Sequence, residues 1–565
     1  MFDDNIYITG NNDIKNISWN SIAGFFTNYY AGNYHPLTML SYAVDYQLFG
    51  YNAAGYHLVS VFLHLISVVF VFLIFKKLSD NFIIIIGVTA IFALHPVQVE
   101  SVAWLAERKN LLYAVFYLTG IFMYLQYHET KKMKWLVMAF LLFVASCLSK
   151  ALAVSFPLTM LILDYLKKQD FKSRHFRAKR IPFFVVSLFF GILAIMAQES
   201  MEYVSDSIGQ LYSLGERSVL ACFAFSRYLL HALIPVNLSA FYPYPHVPDS
   251  SVIVKYGYYL FVFLAYCGIL VWSFRKKPVV FAALAFFLVQ MLFVVQIFPY
   301  ANILMADRYL YLALPGIAVL IVVFFARLAE NTSRKAWPIL ILIAYITFLG
   351  ISSFQNAKKW QDSMHIFNSI LEKNPEAVSF LNLRGVVYKQ KHEYKKALAD
   401  FNKCLQIHPG YLDAYNNRGN VYLKLNNFRR AIRDFERYIE SNPGNSLVYS
   451  NYGIAHARSG NIKEAINAFY KAIELNPQNY KALANLGKAL AMTGDLNSGL
   501  LYLNRSVEQN PAFAEAYITR AMVFLNLDKK QNAYHDLLMA KKHGIPEADS
   551  LLMKYFGHPR MIDEP

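Results

Sequence analysis

Cysteine is scarce and scattered. The 565 residues hold four, Cys147, Cys222, Cys267 and Cys404, with no CxxC spacing. A disulfide framework and a cysteine-held zinc are thereby excluded. The first three lie in apolar runs and read as small core residues. Charge is short too: 16% of residues are Asp, Glu, Lys or Arg, against about 25% in ordinary soluble domains. No P-loop, GxGxxG or GxSxG occurs. A single soluble domain and a disordered chain are both excluded by an apolar fraction of 56% with 16% aromatics.

What charge there is divides the chain. Residues 1–358 carry a balance of +10 and confine it to the gaps between long apolar runs; residues 359–565 carry +7 spread throughout. This predicts an all-α protein: a polytopic membrane helix bundle over 1–358, then a soluble helical domain over 359–565. The apolar runs fall near 57–75, 81–96, 111–127, 135–149, 151–166, 181–198, 255–274, 278–297, 309–327 and 336–353. Several approach the length of about 20 residues that a bilayer core requires. The run at 218–235 differs, because Arg217, Arg227 and His231 share one face of a helix; it reads as an interfacial or re-entrant helix.

Basic residues gather after alternate runs: Lys76–Lys77, Lys131 to Lys134, Lys167 to Arg180, Arg275 to Lys277, and Arg327 to Lys335. These hold 18 of the 27 in the first part. The positive-inside rule makes those loops cytoplasmic and predicts about ten spans. Residues 1–56, 97–110, 199–254, 298–308 and everything after 354 then lie outside the cytoplasm. The chain opens directly in an outer loop, and the expectation is that a preceding helix is missing from this sequence.

The second part repeats every 34 residues. Pro375, Pro409, Pro443, Pro477 and Pro511 keep that period, as do Gly385, Gly419, Gly453 and Gly487, Ala397, Ala431 and Ala465, and Phe401, Phe435 and Phe469. This is the tetratricopeptide (TPR) pattern. Each repeat is two antiparallel helices; proline ends the second, lacking an N–H and clashing with the turn before it. The registers predict a leading helix near 359–373, repeats at 378–411, 412–445, 446–479, 480–513 and 514–547, and a cap over 548–558.

Six loop motifs carry a resemblance: FDDNIYI (Phe2–Ile8), GNYHPLTMLSYAVDYQLFG (Gly32–Gly50), ALHPVQVESVAWLAERKN (Ala93–Asn110), SKALAVSFP (Ser149–Pro157), PVNLSAFYPYP (Pro235–Pro245) and MADRYLY (Met305–Tyr311). With TPRs after the last span, the chain resembles the transmembrane-and-TPR-containing proteins, O-mannosyltransferase relatives in the GT-C glycosyltransferase superfamily. The resemblance implies a GT-C-like fold. It also implies transfer of a sugar, mannose-like, from a polyprenyl-phosphate carrier to a Ser or Thr hydroxyl of acceptor proteins. The membrane would be a bacterial inner membrane or the endoplasmic reticulum, with the TPRs periplasmic or luminal. The first outer loop of GT-C enzymes bears an acidic pair, matched here by Asp3 and Asp4, which the resemblance implies are catalytic.

The residues point the same way without that resemblance. Twelve of the 17 acids of the first part fall in the outer loops. Asp3 and Asp4 read as a general base with a metal- or base-holding neighbour, or as a solvated terminal pair. His35 and His95 each precede proline, so they stand at loop corners; they read as metal or phosphate ligands, or as structural turns. Glu100 and Glu107 share a face if 97–109 is one helix, and Arg108 beside Lys109 offers paired donors to a lipid phosphate. The bland reading is a polar interfacial loop. Asp307 and Arg308 bind substrate, or form an ion pair that fixes the fold. Lys150 neutralises phosphate or snorkels. FYPYP reads as an interfacial aromatic belt or as a cleft lining. Asn417, Asn451 and Asn485 keep the 34-residue period and predict an amide ladder gripping acceptor-peptide backbone, or one that only ties the stack together. A divalent metal is left open as cofactor. Nucleic-acid binding has no support. Short cytoplasmic loops leave no room for a nucleotide-sugar domain, which favours a lipid-linked donor. The alternatives are a membrane-anchored TPR scaffold without catalysis and, third, a transporter.

Overall fold

The computed structural model describes residues 4–199, 211–245, 251–297, 303–332 and 336–557. It is helical nearly throughout; one two-stranded antiparallel sheet pairs Tyr242–Pro243 with Ile303–Met305. The chain divides into two compact units, 1–373 and 374–565.

In the first unit every one of the ten apolar runs is helical. Length and composition, however, qualify fewer as spans among the described residues. Ala53–Leu78, Arg177–Glu199, Tyr259–Lys276, Asp307–Glu330 and Ala336–Lys358 are each long and apolar enough. Phe82–Leu94 and Pro96–Ala103 make a sixth if the pair, bent by 46°, is taken as one. Met133–Ser149, Ala151–Leu166 and Pro278–Met291 are apolar but shorter. At 1.5 Å per residue the first of these covers about 25 Å, less than a hydrocarbon core of about 30 Å. By length and composition, five helices, or six with the bent pair, thus qualify among the described residues, beside the ten runs that the sequence predicts as spans.

Leu310–Glu330 is the axis of this unit, with most of one face and much of the other buried. Two details fix its neighbours. Gly87 on Phe82–Leu94 lies so close that a Cβ there would come within 2.8 Å of Val322. Pro315 has no N–H for the carbonyl four residues back, which leaves the Tyr311 oxygen without its helical donor. The Gln98 side chain supplies one at 3.3 Å and also donates to the Phe92 carbonyl. The amphipathic helix Leu214–Leu233 starts with a capping box, Ser213 and Glu216. It buries Ala224, Phe225 and Tyr228 in the main core, with His231 buried beside them.

The second unit is the repeat array that the periodicity predicts. Its helix pairs are Val378–Gln390 with Tyr394–Ile407, Leu412–Lys424 with Phe428–Ser441, Ser446–Arg458 with Ile462–Leu475, Tyr480–Met492 with Leu496–Gln509, and Ala514–Asn526 with Lys530–Lys542; Glu547–Phe556 follows. The Gly–Phe registers have a steric cause. A Cβ at Gly385, Gly419 or Gly453 would sit 2.6, 2.8 or 2.6 Å from the ring of Phe401, Phe435 or Phe469 in the partner helix. The helix Ser363–Lys373, expected to lead the repeats, packs in the first unit, where Ile366, Phe367, Ile370 and Leu371 are buried.

Candidate functional site

The loops between apolar helices fold into one buried polar cluster. The segment 96–109 is not a single helix. It breaks into Pro96–Gln98, Val99–Ala103 and Leu105–Glu107 before Arg108–Thr130 begins. The expected i, i+7 face does not form, yet Glu100 and Glu107 still meet, because Arg308 reaches both. Its Nη1 donates to Glu100 Oε1 at 2.6 Å, its backbone N–H to Glu100 Oε2 at 3.0 Å, and its Nε lies 3.3 Å from Glu107 Oε1. Lys109 and Lys150 each stand 3.4 Å from Glu107. Lys150 also donates to Asn110 Oδ1 at 2.5 Å, and Asn110 donates to Ser101 and to the Arg308 carbonyl.

Three cations thus converge on one carboxylate. Burial alone would raise the Glu107 pKa; Lys109, Lys150 and Arg308 outweigh it and hold it down at about 2. Lys150 moves down to about 8, because burial disfavours its charge more than Glu107 restores it.

Arg108 is not in this group. It is wholly buried, ion-paired with Asp45, and donates to the Tyr56 carbonyl at 2.7 Å. The guanidinium expected to grip a phosphate is therefore occupied inside the fold, and Lys109, Lys150 and Arg308 are the cations that gather instead. Sequence reasoning gives Lys150 phosphate neutralisation or snorkelling and names Lys109 only as the neighbour of Arg108. Their convergence needs the turn at Lys150, which joins two helices, to fold back onto 107–110.

Asp3 lies outside the described residues. Asp4 is held in the cluster: its Oδ1 accepts the Ala106 N–H at 2.9 Å, one residue before Glu107. His35 and His95 both precede a helix that has proline at its first position. His95 is a capping residue, its Nδ1 accepting from the Val97 N–H at 3.3 Å. His35 caps nothing. It is buried against the Tyr7 ring, and its Nε2 has no hydrogen-bond partner among the described residues. Burial, reinforced by Lys109, holds its pKa well below the usual range and keeps the imidazole neutral.

Asp307 faces elsewhere than Arg308. Its Oδ1 lies 3.0 Å from His231 Nδ1, and its Oδ2 accepts from the Tyr242 hydroxyl at 2.9 Å. Tyr242 also accepts the Ser239 N–H at 2.7 Å. The FYPYP segment, expected as an aromatic belt, thus lends Tyr242 to a buried polar network. Glu100 and Asp307 open on a small cavity lined also by Asn356, Lys359 and Trp360; Trp360 stacks on Trp104. No three His, Cys, Asp or Glu side chains gather as a metal site among the described residues.

In the solenoid the three amides differ. Asn417 accepts from Lys389 Nζ at 2.9 Å and donates to Asn382 at 3.1 Å, so it ties adjacent repeats. Asn451 and Asn485 are half-buried.

The fold and site define a class: an apolar multi-helix unit whose loops enclose a charged cluster, followed by a TPR solenoid. The tetratricopeptide repeat family matches residues 378–411, 416–480 and 456–523. Protein O-mannosyl-transferase Tmtc1 of Drosophila melanogaster is 32% identical over 24% of this chain and 16% of its own length. Protein O-mannosyl-transferase F38B6.6 of Caenorhabditis elegans is 22% identical over 61% and 49%. Protein O-mannosyl-transferase TMTC4 of Mus musculus is 23% identical over 66% and 59%. Over part of its length the chain is thus similar to proteins named protein O-mannosyl-transferases, and its second unit carries tetratricopeptide repeats. Its matches span between 16% and 59% of the length of these three relatives.

Proposed function

We propose that this chain is an integral-membrane glycosyltransferase that moves a mannose-like sugar from a polyprenyl-phosphate carrier to a Ser or Thr hydroxyl of acceptor proteins. The observation that carries the reading is the Asp4 carboxylate fixed on the Ala106 N–H beside Glu107, Lys109, Lys150 and Arg308. A base and a set of cations are what such a transfer requires. Asp4 takes the proton of the acceptor hydroxyl as its oxygen attacks the anomeric carbon. The bond from that carbon to the phosphate oxygen breaks, and its electron pair leaves on the phosphate. Lys109, Lys150 and Arg308 neutralise that charge, competing with Glu107 for it. In-line attack inverts the sugar. His35, neutral and with an unused ring nitrogen, is suited to hydrogen-bond a sugar hydroxyl. The solenoid holds the acceptor, with Asn451 and Asn485 as the amides left for peptide backbone. Site and solenoid lie on the extracytoplasmic side in this reading.

Asp4→Asn in the full chain tests it. Transfer of labelled mannose from the lipid carrier to acceptor protein should fall at least a hundredfold, with membrane insertion and yield unchanged. A second reading is favoured by one observation: Lys109, Lys150 and Arg308 are each already paired with carboxylates. A closed ion network of that kind also suits a membrane-anchored TPR scaffold without catalysis. Full transfer by Asp4→Asn would remove the base from the mechanism; no transfer by the wild-type chain would favour the scaffold.

A further inference from the structure

A second cavity lies at the other end of the same helices. A cleft of about 480 Å³ opens between Ala53–Leu78, Arg108–Thr130, Phe156–Leu166, Pro278–Met291 and Leu310–Glu330. Along the last helix its wall is a stripe of small and branched side chains: Pro315, Gly316, Val319, Val323 and Ala326. From Pro315 to Glu330 this is about 22 Å of helix. Leu118, Ile121, Ile162 and Phe286 face the stripe.

The mouth is formed by helix ends. Leu78 and Ser79 close one helix, Lys167 caps the next, Pro278 opens another, and Arg327 and Glu330 end the fourth. Two cations thus face one carboxylate at the rim. No side chain caps the first turn of Pro278–Met291, so its backbone N–H groups add partial positive charge there. The loop that begins at Lys167 is the most basic in the chain, with seven Lys and Arg up to Arg180. It is pinned beside the cleft at both ends. Lys167 donates to the Lys77 carbonyl at 3.5 Å, and Arg180 holds buried Asp164 through Nε and Nη2 at 3.1 and 2.9 Å.

An apolar cavity in a bilayer holds no water. This one is apolar along its length and cationic at its mouth, so its complement is a molecule with the opposite plan. We propose that the cleft holds one acyl chain of an anionic membrane phospholipid, with the phosphate on Lys167 and Arg327. This is a lipid site at the opposite end of Arg108–Thr130 from the Glu107 cluster. It depends on neither the transferase nor the scaffold reading, because it uses none of the same residues. Anionic lipids are concentrated where basic loops meet the membrane surface, which suits the same end of the bundle.

The full chain, purified in a neutral detergent, is mixed with micelles containing phosphatidylglycerol or phosphatidylcholine. Bound lipid is counted by native mass spectrometry and by thermal unfolding. Phosphatidylglycerol should be retained and should raise the melting temperature more than phosphatidylcholine. Lys167→Gln with Arg327→Gln should weaken phosphatidylglycerol retention at least tenfold while leaving the lipid-free melting temperature unchanged. Val319→Phe, which fills the wall, should reduce retention of both lipids. Equal retention of the two lipids by the wild type, or undiminished phosphatidylglycerol in the charge variant, overturns the proposal. Displacement of the phospholipid by a polyprenyl phosphate also overturns it, assigning the cleft to the carrier instead. Should Val319→Phe not fold, the charge variant decides alone.

Discussion

The two units solve the same problem, an arginine paired with a buried carboxylate, over different lengths of chain. In the solenoid the partners are 16 residues apart and lie in the two helices of one repeat: Arg384 with Asp400, Arg418 with Asp434, Arg520 with Asp536, each through two nitrogens at 2.7–2.8 Å. In the membrane unit one pair, Arg180 with Asp164, keeps the same spacing of 16, but two others are far apart: Arg108 with Asp45, and Arg308 with Glu100, 208 residues away. A repeat carries its own pairing partner and can be satisfied locally. Arg108 and Arg308 find their partners only through the topology of the whole unit.

The largest break of that comparison is Asp45→Asn. It strands a wholly buried Arg108, and removing one partner of a buried pair costs about 3–5 kcal/mol. Fluorescence-detected size exclusion should show the full chain aggregating or absent, whereas a like change in the solenoid leaves a single peak. Gly419→Ala comes next. Its Cβ would lie 2.8 Å from Phe435, and overpacking of this kind costs about 1–3 kcal/mol. The helical circular-dichroism signal should melt several degrees earlier, with the site cluster untouched.

A pH series sharpens the contrast within the cluster. Lys150, held down to about 8, sheds its proton in the folded state well before an unfolded lysine at 10.5 does. Between those values the unfolded chain binds more protons, so stability rises with pH. Activity that needs the Lys150 charge falls over the same interval, about tenfold per unit above 8. Stability and transfer measured together from pH 7 to 10 should therefore move in opposite directions; parallel change removes Lys150 from the phosphate site. The smallest effect belongs to the solenoid pair. A double-mutant cycle on Arg418→Gln and Asp434→Asn should return a coupling of about 1 kcal/mol, since the arginine is partly exposed.

The same contrast decides what could be read without coordinates. The Gly–Phe register was legible because glycine and ring touch inside one repeat. The Arg–Asp spacing of 16 recurs in three repeats and was equally open to reading. In the first unit the apolar runs located the helices. They did not say which were long enough to cross a bilayer, since a helix buried among others can be apolar and short. The cluster was half legible. Loop position singled out Asp4, Glu100 and Arg308; Lys150 reads as a phosphate neutraliser or a snorkelling side chain, and Glu107 and Lys109 drew notice without a role of their own. Arg108 and Lys109 are adjacent and chemically alike, yet in the first turn of Arg108–Thr130 one points toward Asp45 and the other toward Glu107. Nothing in their spacing distinguishes them. Nor could any spacing bring His231 and Tyr242 onto Asp307.

The side-chain nitrogen of Gln98 donates to the Phe92 and Tyr311 carbonyls, near the ends of two helices. Because Pro315 leaves the second carbonyl unpaired, that amide is a mechanical pin: neither helix end can tilt alone without exposing an orphaned oxygen. Motion of the Leu310–Glu330 axis is thereby geared to the loop that begins at Pro96. A tilt at one end of the axis would arrive at Glu100, two residues past the pin, as a displacement of the carboxylate that Arg308 holds.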